Sequence, residues 1–135
     1  MHNIKKQLGF TLMEVTLVVI LVGILAAVVV PRIFDFVTEA KKKQRDAIVD
    51  TLRDNINRNY SRIKVSTGTG VYTALDAAAN GACTVANPCF GNVLKDALTD
   101  YWHKGPAVGA YTHDLTMTTF TYEVATGRFY CTVGC

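Results

Sequence analysis

Residues 8–31 read LGFTLMEVTLVVILVGILAAVVVP, an apolar run that carries a single carboxylate, Glu14. A charged side chain in the middle of a bilayer costs about 2.5–3.5 kcal/mol even on lenient scales, so an acid in such a run marks a function. Residues 10–30 would span about 30 Å as a helix, close to the thickness of one hydrocarbon core. Lys5 and Lys6 precede the run, and Arg32 and Lys41-Lys42-Lys43 follow it. Positive charge at a short N-terminal flank keeps that flank in the cytoplasm and sends the bulk of the chain outward. A secretory peptide would be cut after its apolar stretch, near Ala26-Ala27. This stretch is too long for that and ends in Val28-Val29-Val30-Pro31. An uncleaved signal anchor accounts for the apolarity and the lysines but not for Glu14.

The chain has 135 residues, so the part beyond the apolar segment suits one compact domain. Its net charge of +3 is uneven. Residues 41–64 hold eight Lys or Arg against Asp46, Asp50 and Asp54, whereas from Val65 onward three bases face five acids. The outer part therefore carries little positive charge, which argues against a nucleic-acid partner. The run Lys41-Lys42-Lys43 reads as a solvated face next to a membrane surface, with attraction to anionic lipid headgroups and pairing between subunits as the alternatives. Four cysteines behind an export-type N-terminus imply two disulfides in an oxidising compartment. Among Cys83, Cys89, Cys131 and Cys135 three connectivities are open, including the local pairing of Cys83 with Cys89 and Cys131 with Cys135. The C-x5-C and C-x3-C spacings match zinc knuckles poorly.

Gly9-Phe10-Thr11-Leu12-Met13-Glu14, with Gly23 and Pro31 behind it, closely resembles the N-terminus of type IV prepilins and type II secretion pseudopilins, which carry a class III signal peptide. The resemblance implies that a prepilin peptidase cuts between Gly9 and Phe10 and that Phe10 becomes N-methylated. It gives Glu14 the place of the family's acid at the fifth mature position, and Gly23 and Pro31 the places of its common glycine and proline. The implied organisation is a cleaved leader at 1–9, a transmembrane and filament-core helix at 10–31, an amphipathic half of the same helix at 32–63 and a globular head at 64–135. The implied partners are further copies of the chain in a helical homo- or heteropolymer, the inner membrane before assembly, and the pilus or secretion machinery. Cleavage also creates an amine at Phe10 in the same apolar surroundings as Glu14. Two such charges offset each other when paired between subunits, and that pairing would select neighbours in register.

Beyond Pro31 the pattern becomes amphipathic, with Ile48, Leu52, Ile56 and Tyr60 four residues apart. Glu39 with Lys43 and Asp54 with Arg58 are i,i+4 pairs of the favourable orientation. These features predict one helix from Thr11 to Arg62, bent near Pro31, ending before the loop Thr67-Gly68-Thr69-Gly70. Asn80-Gly81 and Asn87-Pro88 read as turns around the first cysteine pair. Residues 92–101 read as a short helix with Val93, Leu94, Ala97 and Leu98 inward. A strand is expected around 108–113. β-Favouring residues from Thr116 onward form a hairpin turning at Ala125-Thr126-Gly127. The fold class is α+β, and the resemblance implies the pilin topology of a long N-terminal helix with a small antiparallel sheet packed across its upper half.

Phe120-Thr121-Tyr122-Glu123 and Thr126-Gly127-Arg128-Phe129 are similar to the terminal hairpin of many pilins. Pro31-Arg32-Ile33-Phe34-Asp35 resembles mannose-sensitive haemagglutinin-type pilins. Asp114 and Glu123 stand as isolated acids, not as the clustered acids of a calcium loop. His103 and His113 lack the carboxylate pattern of a triad, and Trp102-His103 reads as packing or surface. No catalytic residue, metal or cofactor is implied. The expected function is that of a structural filament subunit serving surface adhesion or motility. The alternatives are a type II secretion pseudopilin and, more distantly, a signal-anchored periplasmic enzyme.

Overall fold

The computed structural model describes residues 10–135. The expected leader, with Lys5, Lys6 and Gly9, lies outside the described residues. Two units divide between Glu39 and Ala40, inside helix α1, which runs Leu12–Thr67. From Phe10 to Ala40 every residue is exposed, including the whole apolar run.

Helix α1 continues five residues past the expected end at Arg62, because Ile63 to Thr67 contain no breaker. It stops where Gly68 adopts φ 78° and donates its N–H to the Lys64 carbonyl at 2.9 Å, a left-handed cap that glycine adopts without a Cβ penalty. The second unit buries the stripe Val49, Leu52 and Ile56, one residue in every three or four, as a core-facing helix requires. The Asp54–Arg58 pair expected from spacing does not form. Arg53 instead pairs with Asp50 at 3.2 Å and donates Nε to the Phe129 carbonyl at 3.0 Å.

Five strands form one antiparallel meander in sequence order: β1 (Gly81–Ala82), β2 (Trp102–Lys104), β3 (Ala110–His113), β4 (Thr118–Glu123) and β5 (Arg128–Val133). Alternation puts Thr118, Phe120 and Tyr122 of β4 inward, and cross-strand register sets Phe120 beside Tyr111 and Tyr122 beside Phe129. Phe90, from the loop before β2, completes this aromatic core. It meets Tyr111 at 4.5 Å between ring centroids and Trp102 edge-on at 5.5 Å. The last hairpin turns at 124–127 as expected, with Gly127 at φ 69° and its N–H on the Glu123 carbonyl at 2.8 Å.

Two local expectations fail. Residues 92–101 are not helical. Val93, Leu94, Ala97 and Leu98 are the half-buried residues there, as the pattern indicated, but Val93 and Leu94 donate to the Phe90 carbonyl in a single turn and no helix follows. Cys89 and Leu98 exchange both backbone bonds at 2.9 and 3.0 Å, and Asn92 donates its backbone N–H to the Leu75 carbonyl and its side-chain Nδ2 to the Ala74 carbonyl. The long-range backbone bonds take groups that a helical ladder would need. Gly81, read as a turn residue, instead opens β1 and pairs with Lys104.

The two disulfides join Cys83 to Cys89 and Cys131 to Cys135, with Cα–Cα distances of 5.4 and 6.0 Å. The first fixes the loop that carries Phe90. The second holds the C-terminus at β5, where Thr118 Oγ1 donates to the Gly134 carbonyl at 3.3 Å.

Gly109 precedes β3 at φ 74°, and a Cβ there would lie 2.2 Å from the Tyr122 carbonyl oxygen. That backbone cannot yield, because Tyr122 donates its own N–H to Gly109 at 2.8 Å. Gly109→Ala should therefore lower stability by about 1–3 kcal/mol. Urea unfolding measures this, and an unchanged midpoint would show that the loop relaxes freely.

Candidate functional site

The first turn of α1 is built around Glu14. Thr11 stands at the N-cap, and its Oγ1 and carbonyl accept the Glu14 N–H at 3.3 and 3.1 Å. Threonine followed three residues later by glutamate is a capping-box spacing, and the threonine half of the box is formed. The Glu14 carboxylate itself has no partner among the described residues. It stands at the positive end of the helix dipole, which favours an anion there.

Around it the surface is apolar. The most apolar window of α1 has mean hydropathy 2.8 and is wholly exposed. Helix hydroxyls there and just beyond are satisfied internally: Thr16 donates to the Met13 carbonyl at 2.9 Å and Thr38, past the apolar run, to the Phe34 carbonyl at 3.0 Å. A Cβ placed on Gly23 would meet nothing within 4 Å among the described residues, so none of them requires a glycine there. Pro31 lies inside the helix and has no N–H to donate to the Ala27 carbonyl four residues earlier. Glu14, Gly23 and Pro31 thus share one exposed helical segment, and Phe10 lies two residues before its start.

A second polar centre had no local signature. Asp76, in the alanine-rich stretch Ala74–Ala79, is buried, its side chain only 1 % exposed. Oδ1 accepts from Lys104 Nζ at 2.8 Å and from the Ala78 N–H at 3.2 Å, and Oδ2 accepts from the Phe90 N–H at 2.9 Å. Lys104 also donates to the Ala78 carbonyl at 2.8 Å. The centre locks the loop after α1 onto β2. Burial, with the neighbouring Asp76 charge, pushes the Tyr111 phenol far above its usual range.

The histidines separate. His103 Nδ1 pairs with Asp114 Oδ1 at 2.5 Å, so Asp114 is not isolated. His113 is buried and shares a hydrogen bond with Thr116 Oγ1 at 2.8 Å. Burial first, then the Arg45 charge, lower its pKa below 6.5, against an opposing pull from Asp114. The unfolded chain therefore binds a proton near pH 6.5 that the folded chain resists, and stability is lost as pH falls through that value. The thermal midpoint should drop between pH 7.5 and 5.5, and His113→Gln should flatten that slope. Equal slopes in both proteins would remove His113 as the cause.

A long apolar N-terminal helix followed by a small antiparallel sheet is the pilin form of an α+β fold, and the chain is similar to type IV pilins and type II secretion pseudopilins. Among curated proteins it is similar to the type II secretion system core protein G of Vibrio cholerae, 44% identical over 50 residues, covering 37% of this chain and 33% of that protein. It is also similar to the fimbrial protein EcpC of Eikenella corrodens, 31% identical over 93 residues, covering 69% of this chain and 57% of that one. A fimbrial protein of Moraxella nonliquefaciens is 36% identical over 55 residues, covering 41% and 36%. The chain thus spans between a third and just over half the length of these relatives. No family model matches the chain, and no solved structure does.

Proposed function

We propose that this chain is the structural subunit of a type IV pilus, a surface filament serving adhesion or motility. In this reading it enters the inner membrane through residues 10–31 with residues 64–135 in the periplasm, and the prepilin peptidase cuts between Gly9 and Phe10 and methylates Phe10. The assembly machinery then polymerises the helices into an extracellular filament. The observation that carries the reading is a Glu14 carboxylate without a partner among the described residues, on a wholly exposed apolar segment of α1 and at the fifth position beyond the expected cut. Such a surface is stable in lipid or against copies of itself, and the carboxylate finds its counter-charge in a neighbour's Phe10 amine. Gly23 supports the same reading, since its open side would let a neighbouring helix approach closely. The mass of the mature protein tests the reading: loss of residues 1–9 plus one methyl group supports it. An intact N-terminus sinks it and leaves a signal-anchored protein, an enzyme included.

A second reading, a type II secretion pseudopilin, is favoured by the 44% identity to the Vibrio cholerae core protein G. The match to EcpC reaches further along this chain, 69% against 37%, and favours the pilus. Deleting the gene separates them: loss of surface fibres supports the pilus, and a secretion defect with fibres retained supports the pseudopilus.

A further inference from the structure

We propose that the groove between α1 and the 92–98 segment seats residues 33–39 of a second copy of this chain. The inference rests on the filament reading above and names a contact within it. At one end the groove is apolar: Ala47, Ile48 and Thr51 face Leu94 and Leu98 across about 360 Å³. Beyond Leu94, which lines both parts, it continues as a cleft of about 420 Å³ among Asn55, Asn59, Arg58, Arg62 and Lys95. No acid lines either part. Arg58, Arg62 and Lys95 have no ion-pair partner among the described residues.

The chemistry of the groove selects its occupant. Covering three cations with an uncharged surface would remove their hydration without replacing it, so the occupant must bring carboxylate. The apolar end must be met by large apolar side chains. Ile33-Phe34-Asp35-Phe36-Val37-Thr38-Glu39 supplies both. Ile33, Phe34, Phe36 and Val37 are 52, 68, 74 and 41 % exposed, and Asp35 is exposed without an ion-pair partner among the described residues. A groove and its ligand on different patches of one chain make a heterologous contact, the kind that propagates into an open helical filament when its rotation does not close a ring.

A photo-crosslinking benzoylphenylalanine replacing Phe36 in the full-length chain tests the contact. After irradiation of assembled filaments, mass spectrometry should find 36 joined to residues 47–51 or 92–98 of another copy. In parallel, Asp35→Arg and the pair Arg58→Glu with Arg62→Glu should each cut filament yield about tenfold, and their combination should recover it. Filaments whose crosslinks lie elsewhere, on lipid included, or whose charge reversals have no effect or are not rescued, overturn this contact and leave the filament reading standing. A wild-type chain that forms no filament removes both.

Discussion

Glu14→Ala is expected to leave the subunit cut and folded but to abolish its polymerisation. Inside the subunit the substitution costs little. Thr11 accepts the backbone N–H of residue 14, not its side chain, and the Glu14 carboxylate has no partner among the described residues. In the filament reading proposed above, the loss would fall between subunits, where a Phe10 amine would stay buried without its counter-charge. Removing one member of a buried ion pair costs about 3–5 kcal/mol, or about two to three and a half powers of ten in the equilibrium for adding a subunit. Mature mass and circular dichroism should match the parent apart from the changed side chain, while electron microscopy of sheared surface material shows no fibres. Normal fibres from Glu14→Ala cells would remove the registry role and leave Glu14 as a helix-start residue.

The second large effect lies in the head. Asp76→Ala should destabilise it by about 3–5 kcal/mol, since Lys104 loses its counter-ion and the Phe90 N–H loses its acceptor in a buried setting. For a domain of this size that lowers the thermal midpoint by about 15 °C or more. The control is Asp50→Ala, which breaks a pair whose side chains are 75 and 47 % exposed. That change should cost less than about 1 kcal/mol. If the two variants melt together, the Asp76 centre is not what holds the loop to the sheet.

These two residues were unequally legible. Glu14 could be read from its immediate neighbours, because an acid in an apolar run is an anomaly on any hydropathy scale and its spacing from Gly9 is a local fact. Asp76 meets Lys104 28 positions away. Nothing within either residue's local window distinguishes a paired acid from a solvated one. The segment 92–101 shows the same limit from the other side. Its apolar spacing identified the inward residues, yet the spacing is also met by an irregular chain whose backbone bonds go to Cys89, Phe90 and Leu75. The last hairpin was readable because β-favouring runs flanked a glycine at φ 69°, a choice made over a few adjacent residues.

The sequence alone therefore determined the single long helix, its exposed apolar half with one acid, and the closing hairpin. Each follows from side-chain period, turn chemistry or transfer energy, all properties of adjacent residues. Only the tertiary structure decided which cysteines join, where α1 stops, that β1 and β2 enter the sheet, and that Asp76 and Lys104 form its buried polar centre. Those outcomes depend on free energies realised when distant segments meet, where a backbone donor or a buried charge takes whichever partner the packing brings within reach.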